Sequence, residues 1–145
     1  MIRLMKDTDI DAVMDIWFET NITAHDFIPE EYWLGNYNAV KGEYLPKSDN
    51  YVYEEKGKIK GFISIMQPSF IGALFVAKDS HNKGIGGQFV EFCKSKYGYL
   101  DVAVYAENKQ AIGFYEKHEF TKVKEKINPT SSHLEYILEW KDEIE

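Results

Sequence analysis

The sequence predicts a mixed α/β fold in a single domain, and three features predict it. Segments with strand and helix periods follow one another in the order β-α-α-β-β-β-α-β-α-β-β. Two strand-like runs meet across Glu55-Lys56-Gly57-Lys58, a hairpin turn that implies antiparallel pairing. Residues 71–104 form a strand–helix–strand unit, which implies a parallel or splayed pair of strands in the middle of the sheet.

Each element has its own signal. Residues 2–5 are predicted as the first strand. Asp7 or Thr8 is expected to cap a helix whose apolar positions Ile10, Val13, Met14 and Trp17 recur at helical spacing, and Asn21 to Phe27 breaks that pattern. Pro29 suits the first position of a second helix, with Glu30 and Glu31 favourable in its first turn. That helix is expected to reach about Leu45, weakened by Gly35 and Gly42, with Pro46 beyond it. Tyr51–Tyr53 and Ile59–Met66 are the hairpin strands. Phe70–Val76 is almost wholly apolar, as a strand covered on both faces should be. A helix from Gly84 to about Tyr97, a strand Leu100–Val104 and a helix Asn108–His118 follow. Phe120–Glu125 and Leu134–Trp140 close the chain as two strands around Asn128-Pro129-Thr130-Ser131. Residues 1–140 are thus expected to form one domain, with 141–145 a charged tail.

The chain has 145 residues, 44% of them hydrophobic and 15% aromatic, enough to bury a core. No apolar stretch approaches the roughly 18–20 residues of a membrane span. The first residues lack a signal-peptide layout, so a cytoplasmic, membrane-free chain is expected. Cys93 is the single cysteine and the four histidines have no ligand spacing, so neither a disulfide nor a metal is expected. A net charge of −7 argues against nucleic acid as a partner. It suits a cationic partner such as an amine, but simple solubility is the better account of the charge alone.

The most informative stretch runs from the apolar Ala73-Leu74-Phe75-Val76 through a polar turn into Gly84-Ile85-Gly86-Gly87. A strand that passes through glycines into a helix leaves several N–H groups unbonded and pointing one way. With the helix dipole behind them they form a seat for an anion, typically a phosphate. It is not a Walker loop, because Gln88-Phe89 stands where Lys-Ser/Thr is needed. Nor is it a dinucleotide fingerprint, because Phe89 occupies the third small position and Asp101 opens the next strand instead of ending it. A second segment, Ala106 to Lys117, begins where a strand ends. Its Asn108, Ala111 and Tyr115 share one helical face, since seven residues make about two turns.

His81-x-x-Gly84-x-Gly86 followed by Asn108-x-x-Ala111-x-x-Phe114-Tyr115 resembles the two motifs of the GNAT superfamily of acyl-CoA N-acetyltransferases. The element order matches that fold over nearly the whole chain: a mostly antiparallel sheet with a splayed central parallel pair, flanked by about four helices. Gly61–Met66, Ala73–Val76 and Thr23–Phe27 further resemble the small bacterial YiaC/YjaB type, regarded as protein lysine or amino-terminal acetyltransferases.

The resemblance implies acetyl-CoA as co-substrate. Its pantetheine arm would lie between the strand ending at Val76 and the strand Leu100–Val104, bonded to backbone of Leu74 and Val76. The N–H groups of the stretch Asn82, Lys83, Gly84, Ile85, Gly86 and Gly87 would hold the pyrophosphate, Asn108 would touch the arm, and Tyr115 would protonate the departing sulfur. Two positions depart from the family pattern. His81 stands where Arg or Gln is usual, and Glu119 stands where Gly is usual. A left-handed residue there costs a non-glycine side chain roughly 1 kcal/mol.

The acceptor is expected to be a primary amine, either a small molecule or a lysine or N-terminus of a protein, attacking directly in a ternary complex. A lysine ammonium, pKa about 10.4, must lose a proton at a cost on the order of 4–5 kcal/mol at pH 7. Phe75 or a neighbour is positioned to offer an oxyanion N–H from an interrupted strand. Phe70-Ile71-Gly72-Ala73 carries no acid, so the candidate bases are Glu19, His25, Asp26 and Glu43, unless no single base acts. His25 has the best ordinary pKa for the task. Phe70 is either core or a wall of the acceptor pocket, and Trp17, Phe18, Trp33 and Tyr37 suit packing better than substrate stacking. A catalytically weak acyl-CoA sensor or interaction module is the competing function. Exchange of C-terminal strands offers a route to a homodimer.

Overall fold

The computed structural model describes residues 1–142. Seven described strands form one sheet in the order β1-β2-β3-β4-β5-β7-β6. They are β1 (Ile2–Leu4), β2 (Asp49–Glu55), β3 (Lys58–Met66), β4 (Phe70–Val76), β5 (Tyr99–Tyr105), β6 (Thr121–Ile127) and β7 (Leu134–Lys141). Every neighbouring pair is antiparallel except β4–β5, which is parallel. Lys141 therefore belongs to the sheet and not to the expected charged tail, of which 143–145 lie outside the described residues.

Helices cover both faces. The helices α1 (Ile10–Ala24) and α2 (Glu30–Ala39) close one core with Val13, Met14, Trp17, Trp33, Val52, Phe62 and Tyr105. The helices α3 (Ile85–Lys94) and α4 (Lys109–Lys117) close the other with Ile63, Ile71, Phe89, Cys93, Val102, Tyr115 and Leu138. Trp17 meets Trp33 and Tyr37 edge-on at 6.0 and 6.2 Å.

Helix ends differ from expectation at both ends of α1 and α2, and α3 stops at Lys94, short of Tyr97. The cap before α1 is neither Asp7 nor Thr8: the Asp9 carboxylate accepts from the Lys6 N–H at 2.7 Å and is gripped by Arg3. Helix α1 continues through Asn21 to Ala24. Pro29 flanks α2 instead of opening it, and beyond Ala39 the chain stays helical as a π turn, Val40–Tyr44, and a 3₁₀ turn, Leu45–Lys47.

The centre of the sheet is where the fold departs from regularity. Opposite β3, Ser64 faces Ala73 and Ile65 faces Ile71, so Gly72 is an extra, bulged residue. Strands β4 and β5 pair at Phe70↔Asp101 and Ile71↔Val102 and no further. Beyond the bulge they diverge.

Candidate active site

The divergence opens a cleft of about 1490 Å³ that passes between the two cores. On β4, Leu74 and Val76 pack toward the α3–α4 side, Ala73 and Phe75 toward the α1–α2 side. Past Ile71 and Val102 neither strand satisfies the other, so main-chain polar groups along both walls are left for a ligand. A ligand with amides of its own suits such walls.

One end of the cleft is the glycine-lined helix start. Asn82 and Gly84 both adopt left-handed conformations, φ 66° and 78°, which turn the chain into α3. The first N–H to bond back into the helix is that of Gln88, to Gly84. Among the described residues the N–H groups of residues 82–87 donate to no protein acceptor. A Cβ on Gly86 would come within 3.2 Å of the Phe114 ring, and one on Gly87 within 3.1 Å of His118, so the cradle has no room to spare. The ring of His81 donates from Nε2 to the Val76 carbonyl at 2.9 Å, tying the turn to the end of β4. Lys83, expected in the cradle through its N–H, does not line the cleft.

Helix α4 supplies the other motif. Tyr115 is buried, held edge-on by Phe114 and Phe120 at 5.1 and 5.2 Å, and lines the cleft. Burial raises its pKa well above the ordinary phenol value, so it stays protonated. Its hydroxyl makes no hydrogen bond among the described residues. Glu119, after α4, has φ 73°, the left-handed geometry that glycine usually serves.

Asn108 caps α4, accepting the Ala111 N–H at 3.1 Å. That bond orients the amide, so Nδ2 faces Nε2 of His25 at 3.1 Å. An amide nitrogen only donates, so Nε2 of His25 accepts and its proton sits on Nδ1. Nδ1 is buried without a hydrogen bond of ordinary geometry. The ring stacks on Trp33 and meets Phe27 and Tyr105 edge-on. Burial lowers the His25 pKa to about 4, against a smaller upward pull from the Asn21 carbonyl. Its ordinary pKa had recommended His25 as the base. In the fold its lone pair is taken and its basicity is reduced, which fits a residue that positions Asn108.

Of the other candidates, Glu19 and Phe70 line the cleft, whereas Asp26 and Glu43 are exposed and do not. The α1–α2 side of the cleft has a wall that went unread in the sequence, the β6–β7 loop. Asn128 accepts from the N–H groups of Thr130 and Ser131, Thr130 shares a 2.7 Å hydrogen bond with Tyr32 of α2, and Tyr105 donates to Ser131 at 3.0 Å. Glu135 is buried and lines the cleft as well. A signal for it existed: a carboxylate near the start of the last strand, at an alternation that also buries Ile137.

The family model for the acetyltransferase (GNAT) domain matches residues 24–133. The chain is 35% identical over 120 residues to the peptidyl-lysine N-acetyltransferase YiaC of Escherichia coli, spanning 83% of this chain and 82% of that one. The solution structure of apo-form YjaB from Escherichia coli superposes with a TM-score of 0.84 at 25% identity, covering 98% of this chain and 97% of that one. The fold is shared with yncA of Salmonella typhimurium, a putative acetyltransferase solved with its cofactor acetyl-CoA, at a TM-score of 0.69 and 14% identity over 100% of this chain and 95% of that one. With the split sheet, the glycine-lined helix start and the buried tyrosine beside them, this chain belongs to the GNAT acetyltransferase family.

Proposed function

We propose that this protein transfers the acetyl group of acetyl-CoA to a primary amine, carried by a lysine side chain or an N-terminus of a protein. The observation that carries the proposal is the gap between β4 and β5, with free N–H groups at one end and a protonated phenol along its wall. The residues fit the co-substrate: a diphosphate suits the N–H groups of Asn82 and 84–87, and an amide-bearing arm suits the unpaired edges at Leu74 and Val76. When bound, acetyl-CoA supplies an acetyl group already activated as a thioester. Of Phe75 and its neighbours, Leu74 and Val76 turn their N–H groups to the gap and suit the carbonyl oxygen, whereas the Phe75 N–H turns to Phe62 of β3. Tyr115 holds the proton that the leaving sulfur takes up.

The competing sensor function is favoured by one observation, the lack of any carboxylate along Phe70–Ala73. Acetyl-CoA consumption across small amines and lysine peptides separates the two. Tyr115→Phe is expected to lower turnover by about 10²-fold while calorimetric acetyl-CoA affinity stays near wild type. Binding without turnover by the wild type would favour the sensor, and unchanged turnover in Tyr115→Phe would remove the acid role.

A further inference from the structure

Glu135 sits directly opposite Tyr105 in the antiparallel β5–β7 pair, so the two side chains project from the same face of the sheet. Tyr105 belongs to the core under α1 and α2, which places Glu135 on that side of the gap, away from α3 and its glycines. Only 7% of Glu135 is exposed, yet among the described residues its carboxylate has no hydrogen bond and no ion pair. Lys126 stands opposite it on β6 and is exposed, but forms no ion pair with it, and the tyrosine hydroxyls on this side of the cleft are engaged elsewhere. Tyr105 donates to Ser131, and Tyr32 is paired with Thr130. The Glu135 charge is felt by Tyr105, whose pKa burial already raises and this charge raises further.

A carboxylate this buried is costly unless a cation or donors meet it. Glu135 lines the cleft together with Tyr32, Tyr105, Asn128 and Thr130, so what meets it can arrive from solvent. The aromatic faces of Tyr32 and Tyr105 suit an apolar stem, and the carboxylate suits a positive head. We propose that Glu135 is the anionic subsite that receives the acceptor's ammonium. The acceptor is then a cationic primary amine on a flexible aliphatic stem, the chemistry of a lysine side chain. The assignment rests on the acetyl-transfer function above, and it gives the otherwise unmatched carboxylate its role.

The test is a titration of the CoA-loaded protein with Nα-acetyl-lysine amide and with its uncharged counterpart, Nα-acetyl-norleucine amide. Glu135→Gln is expected to weaken the lysine probe about tenfold or more, leaving the norleucine probe and CoA unchanged. Glu135→Asp, which keeps the charge, should retain the preference for the lysine probe. In steady state with a lysine peptide, Glu135→Gln should raise the acceptor KM. Equal lysine affinity in wild type and Glu135→Gln, or no preference for the charged probe in the wild type, would overturn the assignment. Glu135-dependent binding of the lysine probe with no acetylated product would support the subsite and sink the acetyl-transfer function instead.

Discussion

At His25 an imidazole is stacked on Trp33, bonded through Nε2 to Asn108 and kept neutral by burial. Its folded-state pKa, about 4, lies below the ordinary 6.5, so between those values the unfolded chain binds a proton that the folded chain does not. Stability is therefore whole above about pH 6.5 and falls as the pH drops toward 4. The loss at its limit is on the order of 3 kcal/mol. Denaturant titrations between pH 7 and 4.5 should show that slope in the wild type and a flatter one in His25→Gln; identical slopes would contradict the burial account. Single residues were unevenly legible in the sequence. Asn108, Ala111 and Tyr115 stood out because helical spacing puts them on one face. For His25 the sequence offered only an ordinary pKa, which says nothing about the Trp33 and Tyr105 rings that close over it. Glu135 was not singled out because its burial beside Tyr105 depends on the pairing of β5 with β7, which the pattern of one strand does not reveal.

Among the elements, β4 decides the outcome, since its Gly72 bulge ends the pairing with β5 and creates the cleft. Gly61 of β3 supports it from behind. It pairs with Val76, and a Cβ there would lie 2.9 Å from the Phe75 carbonyl. Gly61→Ala is expected to push β4 outward at Phe75 and to cost about 1–3 kcal/mol, read by denaturant titration together with acetyl-CoA affinity. Unchanged stability and affinity would show that β4 yields freely. The strands were legible from their alternation and from the turn at Lys56-Gly57, but the bulge was not, because an extra residue leaves no mark in an apolar run. The extension of α1 was hidden for another reason. Thr20, Asn21 and Thr23 look like helix breakers, yet each bonds a carbonyl one turn back and stays within the helix.

The whole molecule is a sheet with a core on each face and a passage through its middle, so two substrates can approach from opposite sides. The side with α3 and α4 offers N–H groups and a phenol; the side with α1, α2 and the β6–β7 loop offers aromatic rings and a buried carboxylate. This division follows from where β4 and β5 part. The overall element order was legible because each segment carries its own period. The shape of the acceptor side was not, because it is assembled from three separated stretches. The most direct test is a crystal structure of the protein with CoA. The expected result is the arm lying between Ala73–Val76 and Ala103–Tyr105, the diphosphate on the N–H groups of Asn82 and 84–87 and the sulfur beside Tyr115. CoA bound elsewhere, or a gap closed by the protein's own side chains, would contradict it.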